Sequence, residues 1–224
     1  MVVSDILQQK STLRKQVIAK RNEIDESVRV AKSQLICDQL IDMLDTHALN
    51  ATKSSVLPLR IAVYQAVGSE VDLREFILAA HAKGMRICFP CIVEASFNVA
   101  KPWLKGRQML FFEVSETDYR NRQAVFLSKP LGLCLADDER NREFLLVPPE
   151  SIDMVVVPVV AFDSDNYRLG YGGGNYDGFL SQVYAAEAVR GKPAIVAGVA
   201  FIEQEVDCVP HEEHDLRLPL IITA

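Results

Sequence analysis

The sequence lacks any apolar run approaching the ~20 residues that a membrane-spanning helix needs. It also lacks a basic excess. Its 24 lysines and arginines stand against 30 acidic residues, a formal net charge of −6, so neither nucleic acid nor a membrane surface is an expected partner. An anionic ligand would have to be held by a local cluster of donors rather than by the overall field. Cysteine is scarce: five residues, odd in number and scattered over 224, make no disulfide framework and fit a reducing compartment. The first residues lack the apolar segment of a secretory signal, because Asp5, Gln8, Gln9, Lys10 and Lys15 interrupt it, so the expected location is cytoplasmic. No internal repeat or low-complexity tract is present. Glycine is sparse, 11 in all, but four of these fall within five positions.

What is present suits a soluble globular chain, with 49% hydrophobic and 24% charged residues and enough length for one domain with a substantial core. The first ~45 residues read as two helices. Ile6, Leu13, Val17 and Ile24 share a face of the first. Asp25 is a candidate N-cap for the second, with Val28, Leu35, Ile36, Leu40, Ile41 and Leu44 as its apolar positions and a polar connection from His47 to Ser55. A β-branched run, Ile61 to Val67, leads into Gly68-Ser69. Asp72 and Glu75 resemble a capping box for a helix that ends at Gly84, and Arg86 to Phe89 is a strand closed by Pro90. Such a β-α-β unit implies a parallel sheet. Between Cys91 and Glu150 the pattern is weaker: Met109 to Val114 reads as a strand, with Arg120, Arg122, Lys129, Arg140 and Arg142 in loops. Met154 to Val160 is a nearly unbroken apolar strand of the kind found at the centre of a sheet covered on both faces. Tyr176 to Val189 reads as a helix and Ala194 to Phe201 as a further strand. The expected fold class is α/β: a single domain over 1–224 with a mostly parallel central sheet flanked by helices, and a helical pair (1–46) packed on it.

Between the Met154 strand and the Tyr176 helix lies FDSDNYRLGYGGGNYDGFL. Gly170, Gly172, Gly173 and Gly174 allow positive φ and close approach of backbone N–H groups to a ligand. The helix that follows adds unpaired donors and the positive end of its dipole, which favours an anion, most often phosphate. The common phosphate motifs do not fit. G-x-G-x-x-G counted from Gly170 ends on Asn175, and no lysine is present for a P-loop. Asp163 and Asp165 hint at a calcium loop, but Arg168 and Gly174 stand where its glycine and glutamate belong. A bland surface turn would not hold Arg168, Tyr171, Tyr176 and Asp177 around these glycines after a buried strand, so the segment reads as a ligand site.

At this point the chain resembles the 5-formyltetrahydrofolate cyclo-ligase family, also called 5,10-methenyltetrahydrofolate synthetases. Lys10, Leu13 and Arg14 form K-x-x-L-R; IAVYQAVGSEVDL, ICFP, DMVVVPVVAFDSDNYRLGYGGGNYDGFL and VPHEEHDLRLP follow in order. The glycine motif is specific, whereas K-x-x-L-R and ICFP alone would carry nothing. The resemblance implies a ligase that uses Mg-ATP to close 5-formyltetrahydrofolate to 5,10-methenyltetrahydrofolate through a phosphorylated formyl group, releasing ADP and phosphate. It implies small-molecule substrates and a monomer. Lys10, Arg14, Arg168, Gly170, Gly172, Gly173, Gly174 and Tyr176 would contact the nucleotide. Glu70, Gln65, Tyr171 and Asn175 would contact the folate. Asp177 and Asp215 would bind Mg²⁺, and Arg168, Tyr176 and Asp177 would be the catalytic set. On the residues alone, Lys10 and Arg14 sit one helical turn apart with Arg21 beside them, bordering the Leu13–Val17 apolar stripe. Two departures stand out: Asn175 replaces a usual aromatic, and Ser128-Lys129-Pro130 lacks the glutamate common in the family's middle loop.

Three other features carry less. Cys88-Phe89-Pro90-Cys91 closes a strand instead of opening a helix, so a packed, unreactive pair is expected. His211 and His214 are one position too close for a metalloprotease helix, and the stretch reads as a polar loop delivering Asp215. Trp103 is a core or pocket-rim residue. Other readings of the same scaffold are a sugar-phosphate isomerase or CoA-transferase-like enzyme, which would leave Lys10, Arg14 and the two aspartates unexplained, and a non-enzymatic phosphate-ligand sensor.

Overall fold

The computed structural model describes residues 2–51, 58–94, 107–130, 132–134 and 143–224. Trp103, Arg140 and Arg142 lie outside the described residues. The chain opens with α1 (Val2–Glu23) and α2 (Glu26–Ala51). Asp25 caps α2 as expected, its Oδ1 accepting from the Ser27 amide at 2.8 Å. Ile36, Leu40 and Leu44 are buried, but Val28 and Leu35 are exposed. The stripe that meets the body of the protein is narrow, and Leu35 is rotated ~100° from Ile36, off the seam. The helix also continues past His47, so the expected polar connection begins as helix.

Then come β1 (Arg60–Ala62), α3 (Arg74–Ala82), β2 (Arg86–Glu94) and β3 (Arg107–Val114). They are followed by α4 (Glu116–Asn121), α5 (Val125–Ser128), β4 (Leu133–Cys134) and β5 (Leu145–Val147). The remainder is β6 (Met154–Pro158), β7 (Ala161–Phe162), β8 (Arg168–Leu169), α6 (Asn175–Arg190), β9 (Ile195–Ala200) and β10 (Leu220–Thr223). Among the described residues one eight-stranded sheet has the order β10-β9-β6-β1-β2-β3-β5, with β4 also on β2. The pairings from β10 through β2 and the β2–β4 pair are parallel, while β3 pairs antiparallel with both β2 and β5. The architecture is α/β with a mostly parallel sheet.

Side-chain alternation splits the core into two layers. Ile61, Ile87, Phe89, Met154 and Val156 face the side covered by α2 and α3. Ala62, Cys88, Val155 and Val157 face the other, where α6 packs Phe179, Leu180 and Val183. β6 is buried on both faces, which is why its sequence is an unbroken apolar run.

Four local expectations are corrected. Asp72 Oδ1 accepts from the Arg74 amide at 3.0 Å, but Leu73 is the N-cap of α3 and no side chain caps the helix, so there is no capping box. β1 ends at Ala62 and releases Tyr64 to Glu70 as a loop. Pro90 does not close β2, which runs on to Glu94. Cys88 O accepts from Val63 N, so alternation turns the Pro90 nitrogen to the side where β1 has stopped and no ladder bond is lost. Finally, β6 does not run directly into the glycine loop: the short β7–β8 hairpin intervenes. Its turn is held by Asp163, whose Oδ1 accepts from the Asp165 and Tyr167 amides and whose Oδ2 accepts from Val209 N. That use of Asp163 removes the calcium-loop hint. No helix among the described residues is long and apolar enough to cross a membrane.

Candidate active site

The carboxyl ends of β1, β2 and β6 open into a cavity of about 470 Å³. This is where ligands sit in parallel sheets, because the loops there are free to vary over a fixed scaffold. Each wall comes from a different part of the chain: α1, the Tyr64–Glu70 loop, Pro90 and Ile92 of β2, the glycine loop with the first turn of α6, and the 212–215 loop. All the site residues expected from the sequence line this one cavity.

From α1, Arg14 Nε donates to Gly170 O at 2.7 Å, and its guanidinium lies close to Gly172. Gly172 has φ +88°, a conformation that favours glycine, and a Cβ there would stand 3.0 Å from Arg14 Nη2, so the guanidinium would have to shift. Burial lowers the Arg14 pKa. One turn earlier, Lys10 Nζ is 2.5 Å from Asp215 Oδ2 and 3.2 Å from Glu212 Oε2. Three turns beyond Lys10, the buried Arg21 donates from Nε to Ser69 Oγ at 2.9 Å and from Nη2 to the Tyr171 hydroxyl at 3.1 Å.

Gly174, at φ +66°, starts α6 without a side-chain cap, leaving the first helical amides for a ligand. Asp177 in that first turn accepts from Arg168 Nη2 at 2.7 Å, and Arg168 Nη1 donates to Leu216 O at 2.7 Å. The Arg168 side chain is only 4% exposed, so this arginine ties three segments together: β8, α6 and the C-terminal loop. The Tyr176 hydroxyl is buried with no hydrogen-bond partner among the described residues, and burial followed by the Glu70 charge pushes its pKa up. A buried orphan hydroxyl lining a cavity is a group that a ligand would satisfy. Asn175 packs its amide over Gly173, where a Cβ would come within 2.9 Å of Nδ2.

Glu70 Oε2 accepts from Val67 N at 2.7 Å. Burial raises its pKa, opposed by hydrogen bonds from Tyr171 and the Val67 amide and by the Arg21 charge. Burial and the Glu70 charge push the Tyr171 hydroxyl up to about 12. Gln65 lines the cavity beside Tyr64, whose hydroxyl donates to Val71 O at 2.8 Å.

Sequence reasoning passed over Tyr64, Glu212 and His214 as site residues, and all three line the cavity. The ligand atoms of Glu212, His214 and Asp215 lie within 4.8 Å of one another, while Asp177 stands outside that group on Arg168. The Glu212 signal was local: its amide donates to Asp215 Oδ2 at 2.8 Å, a turn that brings the two side chains to one side. Cys88 and Cys91 are both buried, and as odd-spaced strand residues they face opposite core layers, so they cannot pair. The donor chemistry suits a hard cation. Asp177 and Asp215 present carboxylates to a cavity otherwise suited to phosphates, and such carboxylates need positive charge beside them, which Arg168 and Lys10 now provide.

A family model described as the 5-formyltetrahydrofolate cyclo-ligase family matches residues 6–224. The chain belongs to that family. A cyclo-ligase of Escherichia coli (strain K12) is 38% identical over 170 residues, covering 75% of this chain and 79% of that one. Another, from Mycoplasma pneumoniae, is 26% identical over 214 residues, covering 95% and 97%. The solved structure of a 5,10-methenyltetrahydrofolate synthetase from Mycoplasma pneumoniae has a TM-score of 0.62 at 24% identity, covering 95% of this chain and 97% of that one, a likeness of fold. The cyclo-ligase reaction is the ATP-dependent conversion of 5-formyltetrahydrofolate to 5,10-methenyltetrahydrofolate. A match over nearly the whole chain sets aside the isomerase-like, CoA-transferase-like and sensor readings.

Proposed function

We propose that this chain, acting as one domain, uses Mg-ATP to cyclise 5-formyltetrahydrofolate, and that the cavity described above is where it does so. The observation that carries the reading is convergence. Lys10, Arg14, Arg168 and the open start of α6 line the same cavity as the half-buried carboxylate of Glu70. Cations and amides suit the phosphates, and a carboxylate suits the N–H and amino groups of a pterin.

The substrate sets the chemistry. A formyl amide is a poor electrophile, so its oxygen attacks the γ-phosphorus of ATP and ADP leaves. N10 then attacks the activated formyl carbon and loses its proton. The C–O bond breaks with its electron pair on phosphate, which leaves as the methenyl bridge closes. No covalent nucleophile on the protein is needed; what it supplies is positioning and charge. Lys10, Arg14 and Arg168 neutralise the phosphate oxygens, Glu70 and Gln65 orient the pterin, and the Tyr176 hydroxyl gains a partner when the cavity fills. Asp177 and Asp215 would hold Mg²⁺, which when bound screens phosphate charge from these carboxylates. The nucleotide would then take over the cations that Asp177 and Asp215 engage in its absence. The reading places the protein in the cytoplasm as a monomer, with no nucleic-acid or membrane partner.

The test is direct. Protein, 5-formyltetrahydrofolate and Mg-ATP should yield the methenyl chromophore, and no product, or product without ATP, would overturn the reading. For the metal, Asp177→Asn is cleaner than alanine, because alanine would strand the buried Arg168. We expect the Mg²⁺ concentration for half-maximal turnover to rise about 10–100-fold; an unchanged Mg²⁺ dependence would remove Asp177 from the metal site.

A further inference from the structure

Arg21 is 3% exposed, and among the described residues no carboxylate forms an ion pair with it. A buried guanidinium so placed needs compensating negative charge nearby. Here the charge is one side chain away: Arg21 Nη2 donates to the Tyr171 hydroxyl at 3.1 Å, and Tyr171 shares the cavity with Glu70, whose charge adds to burial in raising the tyrosine's pKa. The second arm, Nε, grips Ser69, the residue before Glu70, and Ser69 Oγ donates in turn to Asn22 Oδ1 on α1. Gly68, at φ +63°, begins this turn, and the Glu70 amide and carboxylate bond back to Val67 O and N. Arg21 thus holds the loop that carries Glu70 through Ser69 and the glycine loop through Tyr171.

We infer that Arg21 is a positioning residue for the folate substrate, acting through Ser69 and Tyr171 to aim the Glu70 carboxylate into the cavity. The inference rests on the proposed folate role of Glu70. It divides α1 between the two substrates, with Lys10 and Arg14 serving the nucleotide and Arg21, further along the same helix, serving the folate. The glycine loop is divided the same way, with the Gly170 carbonyl on Arg14 and the neighbouring Tyr171 hydroxyl on Arg21. The groups around Glu70 are Arg21 from α1, Tyr64 from the loop after β1, Tyr171 from the glycine loop and Tyr176 from α6. Arg21 is the one cation among these four.

The experiment separates the two substrates. KM is measured independently for 5-formyltetrahydrofolate and for ATP in Arg21→Met, Arg21→Lys, Tyr171→Phe and the Arg21→Met/Tyr171→Phe double variant. Calorimetric binding of 5-formyltetrahydrofolate without ATP is measured alongside, and Glu70→Gln serves as control. A bond from a charged donor predicts a folate KM raised ~10-fold or more in Arg21→Met, with the ATP KM unchanged within about twofold. Lysine should restore part of the loss, because it keeps the charge but not the two-armed geometry. The Tyr171→Phe effect should shrink once Arg21 is gone. Equal rises in both KM values, or strictly additive effects, would overturn the inference and leave Arg21 a general support of the loop. Should Arg21→Met not fold, the lysine and phenylalanine variants carry the same test. Glu70→Gln tells the two failures apart: if folate binding survives it, the folate role of Glu70 is wrong; if binding is lost there but intact in the Arg21 variants, only the present inference falls.

Discussion

At Glu70, burial and function pull in opposite directions. Its folded pKa is raised, chiefly by desolvation, above the value in an unfolded chain. Between those two values the folded protein binds more protons than the unfolded one, so this residue's contribution to stability falls as pH rises through that window. Above that window the carboxylate is ionised at a net cost to the fold. Glu70→Gln should therefore raise the urea midpoint at pH 7 while weakening folate binding, and the stability gain should vanish below the ordinary glutamate pKa. A midpoint equal to or below that of the unaltered protein at pH 7 would show that Arg21, Tyr171 and the Val67 amide fully offset the burial. The glycine run alone is specific enough to mark a ligand loop; Lys10, Arg14 and Asp215 were named only through the family resemblance it carries, and the fold brings them to the same cavity. Arg21 could be placed beside Lys10 and Arg14 by helical spacing, but its partners Ser69 and Tyr171, far away in sequence, could not.

Among the elements, the long apolar segments were placed correctly except at the ends of α2 and β2, and the shortest strands were not foreseen. β6, β9, α3 and α6 follow from apolar runs and period, since each buries enough surface to impose its pattern. The β7–β8 hairpin has two residues in each strand and owes its existence to Asp163, whose acceptors serve backbone amides as distant as Val209. No local pattern records such a bond. The end of β1 at Ala62 likewise depends on where its neighbours stop. Gly198 in β9 shows how tightly these elements pack: a Cβ there would fall 2.6 Å from Leu218 Cδ1 and 3.1 Å from Val159 Cγ2. Leu218 N donates to Asn166 O, and Leu216, two residues earlier, supplies the carbonyl on Arg168. Gly198→Ala should cost about 1–3 kcal/mol by overpacking and lower turnover as well, because the displaced Leu216–Leu218 loop segment carries the Arg168 acceptor. Urea unfolding and the chromophore assay read the two effects; a variant as stable as the parent would mean that Leu218 shifts at no cost.

The whole molecule is organised around segments that meet only when folded. α1 touches the body through Val17, which packs with Ala161, Leu169 and Val209, and through the polar contacts of Lys10, Arg14 and Arg21. Much of its attachment is thus made of groups that substrates would re-pair. Binding ATP and 5-formyltetrahydrofolate together should slow amide hydrogen exchange most in α1, the glycine loop and residues 209–217, and least in β6 and β9, the buried central strands of the sheet. Uniform protection across the chain would contradict this distribution.

By itself the sequence determined the fold class and the chemical character of the site, because hydrophobic period and a dense glycine motif are local properties that survive in one dimension. Only the tertiary structure decided that Lys10, Glu70, Asp177 and Asp215 share one cavity, that Arg168 bridges Asp177 to Leu216, and that Arg21 joins Ser69 to Tyr171. Those contacts join residues tens to hundreds of positions apart, and their existence depends on how the strands are ordered in the sheet, which no local spacing encodes.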